Sequence, residues 1–475
     1  MTANLRRSFR RVHLRLALFP LLGLGVSCQP GGSPSTQTTI DVPAAWQESG
    51  TKSSRKISTG WIKDFNDPQL PRLVSEAMTH NPSLLAAAQR LEASRASVTR
   101  SQSRRMPSVD LGASGSRTRI EDGGSGNGPN YTNSQGINIG ASWEIDLWGR
   151  LRHLHTAAQA DYDSTVADFR GTRLSLASNT ASLWYHLITN ENQTKLSEET
   201  LSRYRKVEKI IERNYKAGTS RALDLQLSRN NVYNEERTLR ARRRARDDAR
   251  RNLEIIIGRY PKAAIQAPSA LPTIRKNVPA GLPSDLITRR PDLVRAQQRL
   301  FASFHRAKAA QKNLLPAIRL TGSGGTRSPD ISDLIDIDRL VSSISASLTQ
   351  SLFDGGTLRE DAKAAVANNR AAIYDFSNVA LQAFREVESA LAAEDWLAEQ
   401  ELYQRKSLTQ AALAEKQAGR DYAEGVDGTD ILSLLESQRR ASNARNSLIL
   451  LQNQRIQNRI NIHLALGGDF TSITK

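Results

Sequence analysis

The chain has 475 residues, 39% of them apolar, with a single cysteine and a net charge of +18; its mean hydropathy is −0.49. Length alone sets a prior of about three domains, and the lack of several apolar runs of about 20 residues excludes a polytopic helical membrane protein. One cysteine excludes an intramolecular disulfide and a Cys-based zinc site, while 66 Lys+Arg against 48 Asp+Glu leaves a nucleic-acid-binding reading open.

Residues 1–27 have the form of an export signal. Five arginines (Arg6, Arg7, Arg10, Arg11 and, just inside the core, Arg15) and no acid mark the start of the chain, and the apolar core at 14–26 is too short to span a bilayer. Removing the signal takes five of the +18 charges and leaves +13 on the mature chain. The Gly25-Val26-Ser27-Cys28 junction resembles a bacterial lipoprotein cleavage site, with Leu24 one step earlier than that pattern places it. The resemblance implies a lipidated Cys28 and, with Gln29 after it, sorting to the outer membrane. Residues 29–40 have the composition of a tether.

Beyond the tether the chain repeats itself. Residues 82–118 match 291–327 at an offset of 209, with 13 identities in 37. After a variable loop the offset becomes 207, pairing Gly149 with Gly356, Tyr215 with Tyr422 and Gly218 with Gly425. The period is far longer than that of a solenoid and marks a duplicated domain-sized unit. The expected division is a signal at 1–27, an anchored arm and equatorial part at 28–80, a first repeat at 81–275 and a second at 276–475.

Each repeat opens with a helix, 82–105 or 291–314, ended by Pro107 or Pro316. Alternation follows. Ile137, Ile139, Ala141, Trp143, Ile145 and Leu147 are separated by polar or small residues, and Ile344, Ala346 and Leu348 repeat the pattern. Val109, Leu111, Ile318 and Leu320 begin weaker strands. Each unit therefore carries a hairpin, at about 108–147 and about 317–353, with turn-rich loops at 121–136 and 328–339. Strands of about 9–11 residues with dyad alternation suit a transmembrane barrel; a soluble sheet on a core is the alternative. Four strands cannot close a barrel, and bare edges are not tolerated in hydrocarbon. Two chains would supply 8 strands, three 12 and four 16, and spacing does not choose among them.

Long helices follow. Residues 149–215 contain no proline and would span roughly 100 Å as one helix, with a break expected near Thr-Asn-Glu-Asn-Gln at 189–193. The chain turns at Lys216-Ala217-Gly218-Thr219 and returns through 220–257. The second unit descends through 356–422, turns at Ala423-Glu424-Gly425-Val426 and returns to about 466. No catalytic, cofactor-binding or metal-ligating constellation is present in the sequence. His153-Leu154-His155 lacks an acid partner motif, and Gly322-Ser323-Gly324-Gly325 falls in a strand instead of a phosphate loop.

Four motifs in order now carry a likeness. They are Trp61 with Phe-Asn-Asp-Pro-Gln-Leu at 65–70 and Asn-Pro-Ser-Leu at 81–84; Trp-Glu-Ile-Asp-Leu-Trp-Gly-Arg-Leu-Arg at 143–152; Gly-Leu-Pro-Ser-Asp-Leu at 281–286 with Arg-Arg-Pro-Asp-Leu at 289–293; and Ser-Leu-Phe-Asp-Gly-Gly at 351–356 with Leu358 and Arg359. Together they resemble the outer-membrane efflux lipoproteins of the TolC/OprM/NodT type over nearly the whole mature chain. The resemblance implies an α+β membrane protein: a long α-helical barrel below a 12-stranded transmembrane β-barrel shared by a homotrimer, four strands per chain. It implies an exit duct for drugs or other small molecules that joins a periplasmic membrane-fusion adaptor and an inner-membrane pump, contacts outer-membrane lipid and binds no nucleic acid. An export channel for another pump and a stand-alone porin are the alternatives.

The same resemblance places a periplasmic aperture at Tyr422, Asp427, Asp430 and Asp224, and adaptor-docking tips at Ala217, Gly218, Thr219, Glu424, Gly425 and Val426. Asp224 lies six residues after its glycine, whereas the equivalent position in the second unit is Ile431 and Asp430 is one step early. Each acid could equally be an ordinary helix N-terminal carboxylate.

Overall fold

The computed structural model describes residues 46–47, 60–120, 129–274, 281, 283, 286–424, 426 and 430–468. They fall within one compact unit, residues 38–475. The signal, Cys28, Gly425 and Asp427 lie outside the described residues. No described helix is long and apolar enough to cross a membrane.

A short 3-10 turn (Trp61–Phe65) leads into α1 (Leu70–His80) and α2 (Pro82–Ser103). The Asn-Pro pair at 81–82 now has a physical reason. Asn81 caps α2 by accepting from the Leu84 N–H at 3.1 Å, while its amide donates to the Ile256 carbonyl at 2.8 Å. Pro82 occupies the first helical turn, where no amide donor is needed.

The strands are β1 (Ser108–Ile120), β2 (Asn130–Ile145), β3 (Ala317–Ser328) and β4 (Val341–Thr349). They form one antiparallel sheet in the order β1-β2-β3-β4, so pairing of β2 with β3 joins the two repeats. Register places Val109, Leu111 and Ala113 opposite Ala141, Ile139 and Ile137. Leu320 lies opposite Trp143, and Ile344 opposite Gly322. Side chains alternate faces along a strand, so these residues share one apolar face. The other face is polar: Thr321 and Ser345 hydroxyls meet at 2.7 Å, and Ser323 and Ser343 at 2.8 Å. β2 starts at Asn130, so residues 130–136, expected in a loop, belong to the strand.

Both hairpins pass into long helices through one device. Asp146 accepts from the N–H groups of Leu151 and Arg152 at 2.9 and 2.7 Å. Asp354 accepts from Gly356 and Leu358, both at 2.9 Å. Gly149 and Gly356 take positive φ values of 77° and 90°, where L side chains are strained. The carboxylates satisfy the orphan amides that open α3 (Arg150–Lys216) and α7 (Thr357–Glu424). Trp143 and Trp148 fasten the junction by donating to the carbonyls of Arg105 and Pro316 at 2.9 and 2.7 Å.

α3 runs unbroken for 67 residues, correcting the expected break at 189–193. Polar side chains there are used across helices. Gln193 donates to Asn446 at 2.9 Å and accepts from Arg242 at 2.8 Å. α4 (Ala222–Ile256) and α8 (Ile431–Ala465) return from the far turns. A four-residue α5 (Leu286–Arg289) and α6 (Pro291–Lys312) complete the helices. α3 packs on α2, α4, α6 and α8, and α7 packs on α6 and α8.

Two cores lie beside the middle of the long helices. One gathers Trp61, Phe65, Trp184, Tyr185, Leu253 and Ile460. The other gathers Trp46, Leu286, Leu293, Val387 and Ile462. Glu254 reinforces the first by accepting from the N–H groups of Ala263 and Ala264 at 2.7 and 2.6 Å. Burial raises the Glu254 carboxyl, but these donors outweigh it and hold the group below the usual carboxylate range.

Candidate functional site

The two far turns are built alike. At the α3–α4 turn, Thr219 N–H donates to the Asn214 carbonyl at 2.9 Å and Gly218 N–H to the Tyr215 carbonyl at 3.0 Å. This is the Schellman pattern, and it needs a left-handed residue. Gly218 supplies it with φ of 79° and open space around its α-carbon. At the α7–α8 turn, Val426 N–H donates to the Asp421 carbonyl at 3.0 Å, the same five-residue span. Ala217, Thr219, Glu424 and Val426 all lie at these turns, and Val426 is exposed.

The turns are held together by Ile211, Leu225, Ile431, Leu434 and Leu435, with Tyr422 packed against the cluster. Around this apolar plug stand the described acids. Asp224 is in the first turn of α4, where it accepts from the Arg221 N–H at 3.1 Å and from the Arg221 guanidinium at 3.2 Å. Asp430 caps α8 by accepting from the Ser433 N–H at 2.8 Å and the Ser433 hydroxyl at 2.7 Å. The Ser433 amide, the Ser433 hydroxyl and the more distant charge of Arg221 hold the Asp430 carboxyl below the usual range. Both acids therefore do the work of helix N-terminal carboxylates, and the lowered Asp430 stays ionised near neutrality.

Arg221 is the residue that the sequence reading missed. It pairs with Asp224 on one turn while its field reaches Asp430 on the other. Its signal was local: it precedes an acid at the third helical position, the spacing of a reciprocal cap. A second missed feature is the polar seam between α3 and α8. Besides the Gln193–Asn446 bond, Thr200 and Ser442 hydroxyls meet at 3.0 Å, and Ser182 bonds Gln457. Its α3 members Gln193 and Thr200 are seven residues apart, a helical stripe that hydropathy alone overlooks.

Charge elsewhere on the long helices is mostly paired. Glu394 bonds Arg459 at 2.5 Å, and Glu401 bonds Arg455 and Arg405, each at 2.5 Å. The arginine run on α4 pairs with acids on α3 and on itself: Arg243 with Glu198 at 2.9 Å, Arg250 with Glu191, and Arg251 with Asp248 at 3.1 Å. These pairs tie the run to the wall of the helical bundle. His153 meets His305 of α6 with 3.0 Å between ring nitrogens. Burial first, then neighbouring positive groups including Arg152 and Lys312, lowers the His153 pKa, while burial lowers that of His305. The pair is thus a neutral hydrogen bond between helices. Among the described residues no group of three or more His, Cys, Asp or Glu is placed to hold a metal ion.

Comparison with known proteins gives the family and the fold. The family model described as "Outer membrane efflux protein" matches residues 73–259 and 282–468, one match per repeat. The solvent efflux pump outer membrane protein SrpC of Pseudomonas putida is 30% identical over 469 residues, covering 96% of this chain and 98% of SrpC. The cation efflux system protein CusC of Escherichia coli is 27% identical over 414 residues, covering 86% of this chain and 88% of CusC. Among solved structures, the outer-membrane channel OprN superimposes with a TM-score of 0.83 at 24% identity, over 93% of this chain and 99% of OprN.

Proposed function

The chain belongs to the outer membrane efflux protein family, and from that premise we propose that it is the exit duct of a tripartite, RND-type efflux system. It sits in the outer membrane and passes drugs or other small molecules outward. Its side chains guide passage and carry out no bond chemistry.

One observation supports this reading above the others. Helices of 67 and 68 residues rise into a four-stranded sheet in which β1 and β4 each leave one edge unpaired among the described residues. Hydrocarbon does not tolerate unpaired amides and carbonyls. Further copies of the chain would cover these edges, and the family likeness makes the number three, a homotrimer with a shared barrel of 12 strands. Its far turns are the docking tips for the periplasmic adaptor, at Ala217, Gly218, Thr219, Glu424, Gly425 and Val426. Asp427, Asp430, Tyr422 and Asp224 form the aperture. Triplicated carboxylates on one axis favour cations and resist close approach of the tips. Cys28 carries the lipid that anchors the mature N-terminus.

The test is a deletion strain complemented with wild-type and variant genes. Loss of the gene should raise susceptibility to toxic compounds; solvents and cations both belong in the panel, given the activities for which SrpC and CusC are named. Unchanged susceptibility alongside intact conductance would favour a porin or an export channel for another pump. Asp427→Ala with Asp430→Ala should raise single-channel conductance; unchanged conductance removes the aperture assignment. Cys28→Ala should abolish acyl labelling.

A further inference from the structure

The apolar face of the sheet ends in a basic and aromatic site. Along β1 this face carries Val109, Leu111, Ala113, Gly115, then Arg117 and Arg119. The β1–β2 register is continuous from Ser108↔Ser142 to Ile120↔Asn130, so no bulge turns the arginines to the other side. Arg117 lies opposite Asn133, and its guanidinium stands 4.5 Å from the ring centroid of Tyr131 on the neighbouring strand. That diagonal contact requires both side chains to share the face of Leu111 and Ile139. Arg117 makes no ion pair among the described residues, and Tyr131 is 49% exposed.

Height fixes what this site meets. The helices join the sheet at Ser108 and Ile145, so Arg117 and Tyr131 lie toward the opposite, loop end. Trp143, at the helix end, lies ten residues along β2 from Asn133, about 34 Å of strand or about 26 Å of height at a tilt of about 40°. The apolar band of an outer-membrane barrel is about 25 Å tall. With Trp143 at the lower boundary, the guanidinium of Arg117 falls at the upper one. A planar fork braced on a tyrosine face matches phosphate oxygens in shape and charge.

We propose that Arg117, Arg119 and Tyr131 form a lipid-facing site for the phosphate groups of the phosphorylated glycolipid in the outer leaflet. Three copies of the chain would place three such sites around the barrel. The proposal rests on the outer-membrane reading, so the assembled channel is tested after recovery from outer membranes, with conductance read separately.

Tightly bound lipid is measured by native mass spectrometry on the wild-type channel, Arg117→Ala/Arg119→Ala, and Arg327→Ala as a control on the polar face of β3. The wild type should retain bisphosphorylated lipid A, and the double variant should retain about tenfold less, the loss of about one charge-assisted contact. Arg327→Ala should retain the wild-type amount. Lipid A stripped of phosphate should not be retained on add-back, and inorganic phosphate should not displace the intact lipid. Equal retention by wild type and double variant overturns the site. Equal loss in Arg327→Ala overturns the face assignment. Retention of dephosphorylated lipid, or displacement by inorganic phosphate alone, overturns the lipid phosphate as the ligand. Conductance and outer-membrane recovery unchanged in the double variant separate loss of lipid from failure of the channel.

Discussion

His463 is the clearest case of a single side chain whose chemistry is set by its surroundings. It is 2% exposed on α8, stacked on Trp61 with 5.4 Å between ring centroids. Burial first, and then the charge of Arg459, depresses its pKa to about 3. The Asp64 carboxylate is 3.7 Å away, beyond hydrogen-bond reach, and does not offset burial. In the unfolded chain the ring titrates near pH 6.5. Acid therefore protonates the unfolded state first, so stability is full above about pH 6.5 and falls toward pH 3 at about 1.4 kcal/mol per pH unit. Melting temperature followed from pH 7 to pH 5 should fall, and His463→Gln should flatten that slope whatever its effect on the starting value. The residue was invisible as a sensor in the sequence, because its burial comes from Trp61 and Phe65, some 400 positions earlier.

At the scale of elements, glycines mark where geometry is tightest. A Cβ on Gly325 would lie 2.3 Å from the Ile137 carbonyl oxygen, within the pairing that joins the two repeats. Gly325→Val should part β2 from β3 and quicken hydrogen exchange along both strands, and unchanged exchange there would count against the close approach. Gly218→Val meets no neighbour but must adopt φ of 79°, costing about 1–2 kcal/mol. Hydrogen exchange should quicken at Asn214–Thr219 while the sheet stays protected; unchanged exchange at the turn would count against the strained-turn account. These elements were largely legible beforehand. Apolar alternation at 137–147 located β2, and absent prolines located α3 and α7. Its upper part, 130–136, was not legible, because above the apolar band Asn, Ser, Gln and Gly compose strand and loop alike. Nor was the continuity of α3: Thr-Asn-Glu-Asn-Gln has the local signal of a break, yet Gln193 and Thr194 find partners that keep the helix intact. The aperture was legible only as a choice among acids, since an N-cap and a pore-lining carboxylate share one position on a helix.

For the molecule as a whole, the proposed assembly depends on the edge strands. β4 is exposed along its whole length, with Ile344 at 85% and Leu348 at 68% exposure. Ile344→Pro removes a backbone amide donor from this edge strand; if β4 joins the proposed trimer, native mass spectrometry should then give single chains. If trimers persist, β4 is not the joining edge. The unbroken α3 adds a mechanical consequence. Its lower arm runs from Ile188, in the core, to Lys216 at the turn, about 42 Å at 1.5 Å per residue. With no hinge along that arm, a sideways pull at the turn is taken up as bending of a continuous rod. A smooth bend reaching about 10° at the end of that arm would carry the turn about 4 Å, and the bent helix would return when the load is released. Movement of the tips is thus sprung, with the resting position set by the stiffness of hydrogen-bonded backbone.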